Sequence, residues 1–235
     1  MSQDNLEYLG SGIYTISEAA KFTGVSWARV RHWIRGDLRS PHGGRMPVPP
    51  IVDIQFGKIG GVYSLSFLDL IETLMVEEFR KAGVSVRSIR MAHNRAKEVF
   101  KTSHPFALKK FWTDGKQILA QIGNETQDPG LLNLKQNQYE LRRVTQMFLK
   151  SIDTSDTDLS ERWWPMEKSK NVVLDPARSF GQPIVAKEGV PTLILAHSVS
   201  AEGSIERASE WYNVNRDAVE NAYIYETTYT RRLAA

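Results

Sequence analysis

The apolar positions between Thr15 and Leu38 recur at intervals of three and four residues, the spacing of one face of an α-helix. Two such runs lie on either side of Gly24, a residue that enters a left-handed turn without strain. The pattern predicts two short helices around a tight turn. The residues predicted to face inward are Ala19, Ala20 and Phe22 in the first helix, Val25 in the turn, and Val30, Trp33 and Ile34 in the second helix.

The polar positions of this segment mark the start of each helix and leave one face basic. Thr15 and Glu18 have the spacing of a capping box, and Ser26 is placed to cap the second helix. A helix-turn-helix presents donors to the major groove and cations to phosphates. An amphipathic helical hairpin has the same periodicity, but the turn, the caps and the one-sided charge favour DNA binding. The second helix carries its polar and basic groups outside the apolar stripe, at Arg29, Arg31, His32 and Arg35.

A short β-hairpin is predicted behind the second helix. Residues 40–50 form a Pro- and Gly-rich connector that is not helical and runs over the surface. The β-prone runs 51–56 and 62–65 then flank a Gly-rich turn, which is a hairpin signal. A hairpin in this position is a wing, with Lys58 at its tip and Tyr63 on its return strand.

The middle of the chain is predicted to be helical, with one further hairpin. The predicted elements are a helix from Ser66 that ends at Gly83, a helix from Ser85 to about Lys101, a hairpin over 111–120 that turns at Asp114 and Gly115, a polar loop over 123–130 and a helix over 136–152. Residues 80–116 hold ten Lys or Arg and two acidic residues, which indicates either a second phosphate-contacting surface or a solvated face. The acidic run 153–160 is a predicted domain boundary.

The last third is predicted to open with short strands and turns and to close with three helices. These helices cover about 192–198, 204–212 and 215–228. The last two form a helix-turn-helix in outline, but the second of them is acidic where a DNA reader is basic. That acidity favours protein contact. The acidic residues are Asp217, Glu220 and Glu226.

The composition excludes several classes of protein to which this chain could otherwise belong. The 235 residues are 41% hydrophobic and 24% charged, which is typical of a folded globular chain. No apolar run approaches the roughly 18 residues of a membrane span, and the acidic, polar N-terminus is not a secretory signal, so the cytoplasm is the expected compartment. The absence of cysteine excludes disulfides, thiolate metal sites and cysteine nucleophiles.

The net charge of +3 hides an uneven distribution. Residues 1–150 hold 21 Lys or Arg against 14 acidic residues, whereas residues 151–235 hold 9 against 13. A basic front half fits a polyanion and an acidic rear half fits a different partner. Chance variation between two solvated surfaces is the alternative explanation.

The candidate catalytic and metal-binding residues do not form a recognisable site. The five histidines have no zinc-site spacing, and the chain has neither a phosphate-cradling GxxxxGK[ST] loop nor a GxSxG elbow. Asp153, Asp156 and Asp158 lack the Gly and terminal Glu of a calcium loop, which favours a solvated linker. We therefore expect no enzyme activity, no cofactor and no metal, with a metal-dependent nuclease as the enzymatic alternative.

Aromatic residues of the rear half are candidates for partner contact. Trp163 and Trp164 are adjacent, and buried packing is the commoner role of such a pair, while anchoring a partner protein is the other. Tyr212 and Tyr223 carry the same two interpretations, so all four are partner-binding candidates.

The first hundred residues resemble the MerR-like winged helix-turn-helix group. The matching motifs are ISEAAK at 16–21, TGVS at 23–26, RHW at 31–33, GDL at 36–38, GVY at 61–63 and AGVS at 82–85 leading into Ile89 and Arg90. The resemblance implies that Ser26, Trp27 and Arg29 lie near bases, and that Arg31, His32 and Tyr63 contact phosphates. Gly61 stands where such wings usually carry Arg, so wing contact moves to Lys58 or weakens. Neither the long dimerising helix nor the sensor of MerR regulators is visible.

The stretch from about 172 to 226 resembles a small domain of VapB-type antitoxins. The matching motifs are LDP at 174–176, SFGQPIV at 179–185, GVP at 189–191, SIE at 204–206 and VENA at 219–222. Many relatives have Gly-Thr-Arg before the Val-Pro, and residues 187–189 depart from this. Together with WWP at 163–165 and HPFA at 104–107, the two-part arrangement resembles larger antitoxins encoded beside PIN-domain toxins.

These observations predict a mainly α chain with small β-hairpins, an α+β class in which a winged helix-turn-helix precedes a second small helical and β domain. We expect a DNA-binding domain over 1–102, a connecting hairpin and helix over 103–160, and an antitoxin domain over 161–235. The expected function is that of a type II antitoxin that neutralises a PIN-domain (VapC-type) ribonuclease, binds its own double-stranded operator DNA as a homodimer and does not contact membranes. The alternative is a MerR-like regulator with a small-molecule-sensing rear domain.

Overall fold

The computed structural model describes Tyr8 and residues 10–39, 46–136 and 138–229. Over these residues the chain is mainly helical with small antiparallel sheets, which confirms the predicted α+β class. The α-helices are α1 Ile16–Thr23, α2 Trp27–Arg35, α3 Phe67–Lys81, α4 Val86–Phe100, α5 Lys109–Asp114, α6 Lys116–Thr126, α7 Pro129–Gln136, α8 Gln138–Ser151, α9 Thr192–Glu202, α10 Ile205–Tyr212 and α11 Arg216–Ile224. The strands are β1 Tyr14–Thr15, β2 Asp37–Arg39, β3 Met46–Val48, β4 Lys58–Ile59, β5 Val62–Leu65, β6 Ile152–Thr154, β7 Ser160–Trp163, β8 Val172–Leu174 and β9 Pro183–Val185.

Helices α1 and α2 form the predicted helix-turn-helix. The capping box is present, since the Thr15 backbone N–H donates to the Glu18 carboxylate (2.8 Å) and the Glu18 N–H donates to the Thr15 hydroxyl (3.2 Å). Gly24 takes the left-handed conformation with φ 71° and ends α1. The expectation for Ser26 is wrong in detail, because its backbone carbonyl accepts from the start of α2 while its hydroxyl makes no capping bond.

The wing is shorter than predicted. Strand β4 pairs antiparallel with β5, with Lys58 opposite Tyr63, and β1 adds to the other edge of β5. Gly60 and Gly61 make the two-residue turn, and both have positive φ, which a hairpin turn of this type requires. Residues 51–56 are not a strand. The backbone N–H groups of Ile51 and Val52 both donate to the Trp33 carbonyl instead, so this run closes onto α2 as part of the core.

The predicted irregular connector contains a hairpin of its own. Strand β2 directly follows α2 and pairs antiparallel with β3. The described end of the connector is not helical, as predicted, but the strand at 46–48 was not predicted, and residues 40–45 lie outside the described part of the chain.

Helix α3 is the centre of the molecule and is enclosed along most of its length. It begins at Ser66, as predicted, where Ser66 and Asp69 form a capping box. Asp69 and Glu72 are buried on it and are paired with histidines from other segments. The His104 Nε2 atom lies 2.8 Å from Asp69, and the His93 Nε2 atom lies 2.5 Å from Glu72. Glu72 also accepts from the backbone N–H of Phe106, which fixes the 3₁₀ turn over 105–107 against α3.

The predicted hairpin over 111–120 is wrong, since Asp114 ends α5 and the chain continues directly into α6. An Asp-Gly pair indicates a hairpin only when alternating residues flank it. Here Phe111 and Trp112 are neighbours and are both buried in an aromatic cluster, in which the Trp112 ring stacks between Phe79 and Phe148, each with ring centroids 5.5 Å apart. The predicted loop over 123–130 is likewise mostly helical, whereas the predicted last helix of this region is confirmed as α8.

Two apolar clusters organise the described residues. The larger one runs from Tyr14 to Leu174 and joins the helix-turn-helix, α3–α8 and strands β6–β8. The smaller one lies among β9 and α9–α11, the helices predicted for the last third. The larger cluster continues across residues 102 and 160, so the domain limits given above stay predictions.

The last third packs against helix α1. The buried Tyr14 hydroxyl donates to the Gly181 carbonyl (2.8 Å), Gln182 donates to Glu18 (2.9 Å), and Lys21 pairs with Glu226 (2.8 Å). Burial, together with the charges of Glu18 and Asp175, raises the pKa of Tyr14, so its hydroxyl stays protonated and able to donate.

We expect the buried His104–Asp69 contact to make stability depend on pH. Burial lowers the pKa of His104, but the hydrogen bond to Asp69 and the charges of Glu72, Asp69 and Asp53 outweigh burial, so the pKa lies above its usual 6.5. A raised folded-state pKa stabilises the protein fully below the pKa of the unfolded chain, about 6.5, and this contribution is lost as pH rises through the folded value. In denaturant titrations from pH 6 to 9, the free energy of unfolding of wild type relative to His104→Gln should therefore shrink with pH. A difference that is constant over this range would contradict the assignment.

Candidate nucleic-acid interface

Helix α2 presents a polar, cationic face to solvent. Val30, Trp33 and Ile34 are buried on its inner side, as the spacing predicts. The outer residues are exposed or half-buried, and the wing does not cover them. These outer residues are Ser26, Trp27, Arg29, Arg31, His32 and Arg35.

The first turn of α2 combines an aromatic ring with a guanidinium group. The Trp27 side chain is 50% exposed, and the Arg31 guanidinium lies over its ring at 5.8 Å. This contact holds the Arg31 charge against an apolar surface without burying it. Ser26 precedes the helix with a hydroxyl that makes no capping bond.

Arg29 makes an ion pair with the neighbouring helix α3. Its Nη1 atom lies 3.1 Å and 3.4 Å from the two carboxylate oxygens of Glu77. The Arg29 side chain is 60% exposed and that of Glu77 only 10%, so the acidic partner is fixed while the cation can move outward. Such a half-exposed pair is worth about 0–1 kcal/mol, which a ligand phosphate or base can replace.

Two cations contact the same tyrosine ring where α2 meets the wing. The Arg35 guanidinium lies 4.7 Å from the centre of the Tyr63 ring, and the Lys58 ammonium lies 4.9 Å from it. Lys58 and Tyr63 face each other in the ladder of β4 and β5, so Lys58 lies one residue back from the turn and not at its tip. The turn itself presents Gly61, whose φ of 84° disfavours a side chain although the space around it is open.

The structure therefore brings the predicted DNA-contacting residues into two groups along one surface. Ser26, Trp27, Arg29 and Arg31 occupy the start and middle of α2, and Arg35, Lys58 and Tyr63 occupy its end and the wing. Helix α2 is about 13 Å long at 1.5 Å per residue. His32 is set back between the groups, half-buried, with its Nδ1 atom 3.5 Å from the Asp37 carboxylate.

Sequence reasoning missed the carboxylates that contact this face. Glu77 is 48 residues from Arg29 along the chain, and no local pattern connects them. Asp37 is five residues from His32, but the connection depends on the sharp turn from α2 into β2, which was not predicted.

The predicted partner-binding aromatics are engaged in packing. Trp163 is 4% exposed in the larger cluster, and the Trp164 indole donates to Asp153 (2.9 Å). Tyr212 and Tyr223 are half-buried against the smaller cluster. These positions favour the packing interpretation for Trp163 most strongly.

Other candidate chemistry is sparse. Within the described residues, no group of three or more His, Asp or Glu side chains could hold a metal ion. Over the same residues, every helix is too short or too polar to cross a membrane. His42 lies outside the described residues. The basic side of α4 is partly neutralised, because Lys97 pairs with Asp53 and Arg95 pairs with Glu98, while Arg90 donates to the Pro49 carbonyl.

Comparison with known protein families gives the kind of domain that carries this surface. Residues 12–93, which contain α1, α2 and the wing, match a family described as "Putative DNA-binding HTH domain". The basic face of α2 thus belongs to a helix-turn-helix domain.

The chain is similar over most of its length to one particular protein and one solved structure. It is 26% identical over 221 residues to "Putative antitoxin VapB45" from Mycobacterium tuberculosis, which covers 89% of this chain and 92% of that protein. The crystal structure of Rv2018 from Mycobacterium tuberculosis matches with a TM-score of 0.70 and 23% identity, covering 89% of this chain and 96% of that one. At this identity the second match establishes a shared fold.

The Arg29–Glu77 pair yields a test of the basic face. Glu77→Gln removes the charge that competes for Arg29, so affinity for a short duplex of arbitrary sequence should rise about two- to fivefold, as expected for losing a half-exposed ion pair. Fluorescence anisotropy at fixed salt measures this change. The neighbouring Glu78 is the matched control, because it pairs with Lys81 (2.7 Å) and Arg143 (3.5 Å). Equal effects of Glu77→Gln and Glu78→Gln would show that only bulk charge matters.

Proposed function

We propose that this chain is the DNA-binding antitoxin of a type II toxin–antitoxin system, which neutralises a PIN-domain ribonuclease of the VapC kind and regulates its own operon. The observation that carries the proposal is the exposed basic face of α2 beside the wing. Similarity to VapB45 over most of both chains supports the antitoxin role.

On this proposal the residues of this surface have two roles in DNA recognition. Ser26, Trp27 and Arg29 reach base edges in the major groove from the start of α2, where recognition helices make such contacts. The other residues of the surface contact phosphates, which position the protein without reading sequence. The phosphate-contacting residues are Arg31, His32, Arg35, Lys58 and Tyr63.

A homodimer follows from the size of this surface. One short helix and one wing read only a few base pairs, which is too little for specific affinity. Two copies related by a two-fold axis would read half-sites about one helical turn apart.

Replacing Arg29 and Arg31 separately tests the DNA roles. We expect Arg29→Ala to cost about 1–3 kcal/mol on the operator and much less on scrambled DNA, because a bidentate arginine–guanine contact is sequence-specific. Arg31→Ala should weaken binding to both DNAs and reduce the dependence of log K on log salt by about one. Gel-shift titrations at three salt concentrations, with the duplex upstream of this reading frame as operator, measure both effects. Equal losses on both DNAs for both variants would remove the assigned roles.

Neutralisation is tested with the full chain in cells. On this proposal the neighbouring reading frame encodes a PIN-domain protein; its induced expression should arrest growth, and co-expression of this chain should restore growth through a purifiable complex. A variant with Arg29→Ala and Arg31→Ala should neutralise equally well, because toxin capture does not use the DNA face.

A second function has one observation in its favour. A cleft of about 860 Å³ lies between the start of the helix-turn-helix domain and the β6–β9 sheet, lined by Phe67, Arg162, Asp175 and Arg178 among others. Its size suits a small molecule. Specific operator binding without any neutralisation of the adjacent gene product would favour a small-molecule-sensing regulator over the antitoxin.

A further inference from the structure

Helix α9 carries apolar side chains on both of its sides. Leu195, Ala196 and Val199 face inward and are buried in the smaller apolar cluster. Leu193 and Ile194 face outward and are 47% and 44% exposed. Large apolar side chains on the outer side of a helix are normally covered by a neighbour, and within the described part of the chain Leu193 and Ile194 lack such cover.

The exposed side chains of α9 form a continuous stripe. Leu193, Ile194, His197, Ser200 and Ala201 are all exposed and lie at helical spacings of three, four and seven residues. We call these five residues the outer face of α9. Three of them are apolar, one is a serine, and one is a histidine that can lie at an apolar contact when neutral.

The segment that contains this face is acidic in composition. Residues 183–229 contain seven Asp or Glu and three Lys or Arg. Two of those three cations are already paired: Arg216 lies 2.8 Å from Glu206 and 3.6 Å from Glu220, and Arg207 lies 3.9 Å from Glu202. Glu226 in turn pairs with Lys21 (2.8 Å), so three Lys or Arg of the segment and Lys21 stand against seven acidic residues, and the segment keeps an excess of negative charge.

This negative charge favours one kind of binding partner for the outer face of α9 over another. A second copy of the chain would bring two acidic surfaces together, and like charges across an interface are unfavourable. A partner with an apolar patch surrounded by Lys and Arg would gain from both the apolar centre and the acidic rim.

We propose that the outer face of α9 is the apolar centre of the toxin-binding surface, with the acidic side chains around it as its rim. This inference rests on the antitoxin function proposed above and assigns the place of contact. Helix α9 is about 16 Å long and covers only part of the roughly 800 Å² that each partner buries in a standard interface. The rim supplies the rest, the usual arrangement of an apolar core within a polar border.

The test uses the full chain and the purified PIN-domain protein encoded beside it. The double variant Leu193→Glu, Ile194→Glu should weaken the dissociation constant measured by calorimetry at least tenfold. Leu149→Glu is the matched control, because Leu149 is 41% exposed on α8, outside this unit, and it should change affinity less than twofold. Operator binding by the double variant should equal that of wild type, which shows that the chain is folded. If the glutamates unfold it, Leu193→Ser with Ile194→Ser takes their place.

Four outcomes would overturn the docking surface. Folded double variants that bind the toxin as wild type does would remove the face from the interface. Loss of binding only in Trp211→Ala would move the contact to α10, where Trp211 is 81% exposed. A change from dimer to monomer in light scattering on substituting α9 would assign the face to self-association. Failure of wild type to bind the toxin at all would reject the antitoxin function and this surface with it.

Discussion

Buried carboxylates on α3 are the constraint on which the rest of the structure depends. A charge removed from water must be paired and hydrogen-bonded, or the fold pays several kcal/mol for it. Asp69 meets this requirement with His104 and with the backbone of Ser66 and Gln55, and Glu72 meets it with His93 and the 105–107 turn. Each bond fixes a different segment against the same helix. The position of the wing, of α4 and of the aromatic cluster thus follows from a few polar atoms.

The basic face of α2 is an extension of the same arrangement toward solvent. Glu77, two turns after Asp69 on α3, reaches Arg29 on α2, so the helix that holds the core also balances part of the charge of α2. At the other end Tyr63 holds Arg35 and Lys58 close together although both are cations. The face is therefore preorganised by contacts that leave its charges near water, where counterions and phosphates can compete for them.

The features that could be predicted from the sequence are those that depend on nearby residues. The caps at Thr15 and Ser66 and the turn at Gly24 depend on neighbours within four residues, and they were predictable. The hairpin predicted at Asp114 and Gly115 is wrong because an Asp-Gly pair occurs both in hairpin turns and at breaks between helices. Only the packing of Trp112 against Phe79 and Phe148 decides between the two. The Arg29–Glu77 pair and the outer face of α9 depend on which side of a helix finds a neighbour. That is a property of the assembled chain and has no local signature.

The hydrogen bond from Tyr14 to Gly181 shows that the helix-turn-helix and the last third of the chain depend on each other. Strand β1 and helix α1 make polar contacts with groups more than 160 residues away, through Tyr14, Glu18 and Lys21. Cleavage or gene truncation ahead of residue 178 would remove the acceptor of the Tyr14 hydroxyl, one of the donors to Glu18 and the carboxylate that pairs with Lys21, beside the helix that supports α2. The helix-turn-helix is thus smaller than the part of the chain that stabilises it. Residues of the last third belong to the same cooperative unit as α1 and α2.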